Sequence, residues 1–303
     1  MSSLSLLVEQ TLLGLMMGGI YAAVGVGLTM IFGVMKLSNF AHGEFYMLGA
    51  YITFAIVSVS GNDPYIIAPI SALTVGLISV ILNKLVFYPL YKELKEAKGA
   101  AAFFFQDLRF IMLTIGLSIL LVDLVLIIWG PIPLNVPSTF TSLIIKLPAG
   151  FSFSFARTLT FFLALTALIA LYLFLKMTKT GKAIRATAQN PSAAMLAGIN
   201  IYRIYNITML ISTGLAALAG GILGPIYNLY PTMGLDVVVK AFVVVIVGGM
   251  GNLVGCMLAG FLIGLAEGLG GVFIGTEYRQ VVAFVIMMLV LWFRPRGILG
   301  KGG

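Results

Sequence analysis

The stretch Asn39-Phe40-Ala41-His42-Gly43-Glu44 places the only histidine of the 303-residue chain two positions from a carboxylate. An imidazole and a carboxylate at that spacing can relay a proton or hold a cation. Asn39 reads as the N-cap of a helix that starts here. The free N–H groups and partial positive charge of such a helix end suit an anion such as a carboxylate. Asn39, His42 and Glu44 together could therefore bind a small solute bearing both charges, or gate its passage. An ordinary capped turn fits the same residues. Asp236 and Lys240 stand four apart, so they can pair on one helical face. Asp123, in ILLVDLVLIIW, and Glu267, in a glycine-striped segment, are carboxylates in apolar surroundings. Such a group needs a partner or marks a pathway, and both readings are open for these two.

Covalent chemistry is poorly provided for. One histidine and one cysteine, Cys256, leave no ligand set for a metal site, and neither HExxH nor GxSxG occurs. The Gly-Lys pairs Gly181-Lys182 and Gly300-Lys301 lack the upstream spacing and the following Ser or Thr of a phosphate loop. The chain is expected to be no enzyme, to hold no metal or cofactor, and to hydrolyse no ATP itself. Its net charge of +8 does not point to nucleic acid, because the basic residues lie in loops between apolar segments.

Only 9% of residues are charged, against about 25% in soluble domains, and the mean hydropathy is +1.10. Runs of ~20 apolar residues, each long enough to cross ~30 Å of hydrocarbon, recur throughout. The sequence predicts an all-α, polytopic transmembrane protein built as one integral-membrane unit over 1–303. Spans are expected at 11–33, 43–60, 65–88, 109–130, 157–176, 203–226, 237–249, 253–274 and 279–293, so about eight or nine. The segment 237–249 is short enough to be broken or re-entrant. The N-terminus has no basic residue and does not read as a cleaved signal.

When these spans alternate, Lys146, Arg157, Lys240 and Arg279 fall on one side and the remaining fourteen of the 18 Lys and Arg on the other. The rule that positive loops stay inside makes the second side cytoplasmic, with the N-terminus outside and the C-terminus inside. The external loop 131–156 then contains IIKLPAGFSFSF, whose alternation around Pro-Ala-Gly suggests a small hairpin, an irregular connector being the equal alternative. Small residues recur every four positions at Gly14/Gly18/Ala22, Ser212/Ala216/Gly220/Gly224 and Cys256/Gly260/Gly264/Gly268, as in closely packed membrane helices, a substrate path lined by backbone being the other reading.

The loop 178–202 is the most polar long stretch. Asn190-Pro191 is a helix start, SAAMLA is helix-forming apart from its leading Ser, and Gly198 is a stop. Upstream, GKAIRATAQ predicts another short helix carrying Lys182 and Arg185. About two turns of helix are marginal alone in water, so something must hold them. A basic linker lying on lipid headgroups is one reading. The other is a cleft on a second protein, which suits the small Ala193 and Ala194.

TGKAIRATAQNPSAAMLAGIN resembles the coupling loop of ABC importer permeases of the branched-chain amino acid type. GIYAAVGVGLTMIFGVMKLSNFAHGEFYMLGAY, VVIVGGMGNLVGCMLAGFLIGLAEGL and the tail LWFRPRGILG are similar to LivH-type permeases, so the resemblance runs through nearly the whole chain. It departs from the general importer motif, Glu-Ala-Ala then Gly three residues on, in having Ser192-Ala193-Ala194 with Gly198 later.

The resemblance implies an inner- or plasma-membrane subunit that moves branched-chain or related amino acids. Its partners would be a homologous LivM-type permease, two cytoplasmic ATPase subunits that hydrolyse the ATP, and an extracytoplasmic binding protein, all in membrane lipid. It also implies docking through Lys182, Arg185, Asn190, Pro191, Ala193, Ala194 and Gly198. Asn39, His42, Glu44, Asp236 and Lys240 are the candidates for the substrate path. A proton-coupled secondary transporter or channel for a small polar solute such as urea or an amide is the alternative.

Overall fold

The computed structural model describes residues 3–91, 100–146, 152–275 and 278–300, with the side chains of 3–6, 100–107, 146 and 152 excepted. Lys92, Lys95, Lys98, Lys301 and the Pro-Ala-Gly turn at 148–150 lie outside the described residues, as does the Lys146 side chain. Eleven α-helices are present among the described residues: α1 Ser3–Met35, α2 His42–Ser60, α3 Pro64–Leu82, α4 Ala100–Trp129, α5 Phe155–Met177, α6 Lys179–Gln189, α7 Pro191–Leu196, α8 Ile201–Leu223, α9 Met233–Gly248, α10 Leu253–Phe273 and α11 Arg279–Phe293. A π-helical turn, Asn83–Phe87, continues α3.

Each of the nine expected apolar segments is a helix. Seven of them (α1–α5, α8 and α10) are long and apolar enough to cross a membrane. At 16 and 15 residues, α9 and α11 are shorter than the ~20 residues an upright crossing needs.

Local sequence sets most boundaries. Asp63 caps α3 ahead of Pro64, accepting from the Tyr65 N–H at 3.1 Å. Asn200 and Asn252 do the same for α8 and α10, through the N–H groups of Arg203 and Gly255. Asp63 also holds the loop before the hairpin, its Oδ2 accepting from Ser138 Oγ and Thr139 Oγ1, both at 2.9 Å. The expected hairpin is there: β1 Ile144–Lys146 pairs antiparallel with β2 Ser152–Ser154, with Ile145 opposite Phe153. A single bridge, Leu134 to Leu229, ties this loop to the far end of α8.

The helix α1 is the hub, with α10 laid antiparallel along it. The small-residue stripes of the two meet. A β-carbon on Gly14 would lie 2.6 Å from the Gly264 carbonyl oxygen, and one on Gly260 would lie 2.5 Å from the Ala22 nitrogen. The third stripe works similarly, Gly220 packing on the backbone of Tyr46 in α2. Packing is thus the role these glycines play, since close backbone approach is what binds helices where no hydrophobic gradient exists. Gly264→Val is expected to lower the unfolding midpoint in detergent by several degrees, because overfilling typically costs about 1–3 kcal/mol. Gly116→Val, at a glycine with nothing within 4 Å, should leave it unchanged.

The segment 237–249 lies in α9, which at 16 residues is short, as expected. A non-helical stretch lies at Lys36–Ala41, entered through Lys36 in the left-handed region at φ 54°. From there the chain turns back inward, and Leu37, Asn39 and Ala41 are completely buried. Irregular backbone at such depth is tolerated only where protein surrounds it.

Candidate functional site

The returning chain starts α2 deep in the bundle. His42 Nε2 lies 3.2 Å from the Val24 carbonyl oxygen of α1, and Gly27 fits between that ring and the carbonyl of Ser212. Ser212 is the midpoint of α8, so the first turn of α2 is level with the middle of that helix. Since a carbonyl only accepts, Nε2 is the donor, and Nδ1 faces no partner.

Asn39 does not cap α2. Ala41 occupies that position without a side-chain bond, and Asn39 Oδ1 instead accepts from the Ala41 N–H at 3.1 Å, closing the turn before the helix. Asn39 and His42 have no exposed surface; they shape the re-entrant turn. Glu44 sits at its edge: Oε1 accepts from Ser118 Oγ of α4 at 2.9 Å, whereas Oε2 is buried without a partner. His42 and Glu44 do not bond each other.

The pairing expected between Asp236 and Lys240 does not form. Asp236 accepts from Tyr230 Oη at 2.7 Å. Lys240 instead reaches α10 and α1, where its ammonium lies 3.1 Å from Glu267 Oε2 and donates to Tyr21 Oη at 2.7 Å. Tyr21 in turn donates to the same Glu267 oxygen at 2.8 Å. This triad closes the floor of a cavity of about 420 Å³ that opens between Gln10, Arg157, Tyr227 and Arg279 at the hairpin end. Glu267 Oε1 is buried there without a partner. Tyr21 and Glu267 were not legible as Lys240's partners, because 219 and 27 residues separate them from it.

At the opposite end the polar loop folds as two short helices. Thr178 caps α6 through the Gly181 N–H at 2.9 Å, and Asn190 caps α7 through the Ala193 N–H at 3.0 Å, with Pro191 at the first position. Gly198 stops α7 at φ 82°, where the Ile199 N–H reaches back to the Ala194 carbonyl at 3.0 Å. Arg185 donates to the Leu175 carbonyl, fastening α6 to the end of α5. Lys182 and Ala193 are exposed.

Ala194 is not displayed for a partner as the sequence suggests: it is 4% exposed and faces its own chain. The residues that stand out are Leu196, 91% exposed, and Met195, at 48%. Of the helix's small residues only Ala194 turns inward; Ser192 and Ala193 are exposed. Its large apolar side chains are left outward.

The profile of the family described as branched-chain amino acid transport system / permease component matches residues 10–291. The chain is 31% identical to the high-affinity branched-chain amino acid transport system permease protein LivH of Escherichia coli (strain K12), over 97% of this chain and 95% of that protein. It is 33% identical, with the same coverage, to the corresponding permease protein BraD of Pseudomonas aeruginosa. Among solved structures, PsaBC from Streptococcus pneumoniae in complex with Fab shares the fold at a TM-score of 0.51 and 13% identity, covering 96% of this chain and 92% of that one.

Proposed function

The chain belongs to the branched-chain amino acid transport system permease family, a multi-pass protein of the inner membrane, and from that premise we propose how it is driven and what it carries. Permeases of ABC importers generally work with ATPase and binding-protein partners. The proposed partners are two cytoplasmic ATPase subunits, a homologous LivM-type permease and an extracytoplasmic binding protein. The proposed cargo is branched-chain or related amino acids, by likeness to LivH and BraD. The chain performs no catalysis and binds no cofactor; ATP is hydrolysed by its partners.

The observation that carries this reading is the α6–α7 pair. It projects from the end richest in Lys and Arg, which the positive-inside rule assigns to the cytoplasm. Its one nearly bare apolar side chain, Leu196, is presented on a helix fixed at both ends by caps. An apolar anchor on a rigid, capped helix suits a groove in a partner protein. Through Arg185 and Gly181, both seated on the end of α5, a push on α7 passes into a membrane span. The mechanism is alternating access: closure of the ATPases shifts α6 and α7, and the spans rearrange around a path shared with the second permease. Glu44 borders that path, and Asn39 and His42 hold the turn that positions it. Lys240 with Glu267 lines the vestibule at the binding-protein side.

Affinity purification of the tagged chain in mild detergent tests the reading. Two ATPase chains and a second permease are expected to co-purify, and the reconstituted complex with binding protein should take up leucine only with ATP. A homo-oligomer without ATPase, taking up solute along a proton gradient, would replace it with the secondary-transporter alternative.

A further inference from the structure

A second recess lies on the other side of α9 from the Lys240 cavity. This groove of about 290 Å³ runs between the start of α2, the middle of α4 and the start of α9, and its walls include Phe40, Glu44, Ser118, Ile119, Asp123 and Thr232. Among the described residues its lining is apolar apart from two carboxylates and two hydroxyls, and includes no cationic residue. Glu44 contributes Oε2, buried and unpartnered in a side chain only 1% exposed. Asp123 lies well inside the span Leu108–Trp129, is exposed, and has no hydrogen-bond or ion partner among the described residues.

A carboxylate facing hydrocarbon in mid-span costs about 2.5–3.5 kcal/mol even by the mildest scales. A face with a bare aspartate and a buried, half-satisfied glutamate is therefore not a lipid face.

We infer that this groove is a water-filled stretch of the translocation path, in which Glu44 and Asp123 hold the ammonium group of the transported amino acid. The inference rests on the importer reading and deepens it. Ammonium has three donors and a compact charge, matching Glu44 Oε2 and the Asp123 carboxylate. The apolar surroundings at Phe40, Ile119 and Val238 suit an aliphatic side chain. The Ser118–Glu44 bond ties α4 to the start of α2 at the groove wall.

Cysteine accessibility in the reconstituted importer tests this. Cys256, the only native cysteine, is completely buried, so Ile119→Cys provides a single reporter at the groove wall. The probes are a cationic trimethylammonium-ethyl and an anionic sulfonato-ethyl methanethiosulfonate. Both are expected to react, because the groove holds water. The cation should be favoured about tenfold beyond its preference for a free thiol, the effect of one or two nearby carboxylates. In the Glu44→Gln/Asp123→Asn background that excess should vanish.

Asp123→Asn alone should cut ATP-driven leucine uptake about tenfold while binding-protein-stimulated ATP hydrolysis persists, and Asp123→Glu should restore much of it. Absence of reaction with either charged probe would overturn the inference, showing a lipid face or one sealed by a partner's own cation. So would a cation preference that survives loss of both carboxylates. Failure of the wild-type complex to take up leucine with ATP is a separate result, and it refutes the importer reading instead.

Discussion

Leu196→Asp is expected to abolish ATP-driven uptake while the protein still inserts and folds. Leu196 is 91% exposed, so its replacement removes no internal contact. Fully burying a leucine in a partner's pocket is worth about 1.5–3 kcal/mol, and a buried unpaired carboxylate costs more than that gain. Affinity for the ATPase should fall by at least about thirtyfold. Co-purification of ATPase with the tagged variant, quantified against wild type, is the measurement.

The contrasting variant is Ala194→Leu. With Ala194 packed inward, it should damage the loop itself, seen as faster proteolysis between Thr178 and Asn200 and not as a clean loss of docking. If Leu196→Asp keeps a full complement of ATPase and normal uptake, α7 is not the coupling element.

The second large effect belongs to the Lys240–Glu267–Tyr21 triad. Removing one partner of a buried pair leaves an uncompensated charge, typically about 3–5 kcal/mol. Here the lower end applies, since the Lys240 side chain is 22% exposed against 8% for Glu267. Lys240→Met strands Glu267 of α10 with the Tyr21 hydroxyl as its remaining partner among the described residues. It should lower the thermal midpoint of the purified protein markedly, by about 3 kcal/mol at that midpoint. Lys240→Met with Glu267→Leu should recover most of the loss, because an apolar pair avoids the desolvation cost. Equal midpoints for the single and double variants would show that the unpaired Glu267 carboxylate is not what destabilises Lys240→Met.

The elements of this fold were legible where their causes are local. Asn190-Pro191 and Gly198 bracket α7 as read, because caps, Pro at the first position and left-handed glycine act within one turn. The hairpin in 131–156 was legible from its alternation. The glycine stripes announced close packing, though not that Gly14 would meet Gly264. What failed was position relative to other elements. Asn39 looked like an N-cap, yet the turn returning from Lys36 shifts the helix start to His42 and leaves Asn39 bonding Ala41. Asp236 and Lys240 looked like a pair at helical spacing. Glu267 on α10, 27 positions on, takes the lysine instead.

The sequence by itself determined that this is a polytopic helical membrane protein with a capped, basic-flanked loop. Composition, run length and capping chemistry are properties of neighbouring residues. Only the tertiary structure decided which carboxylates are satisfied, which small residues face inward and where irregular backbone enters the bundle. Those outcomes depend on contacts between residues dozens to hundreds of positions apart, such as Glu44 with Ser118 and Tyr21 with Glu267. They are settled by which groups the close-packed helices leave room for.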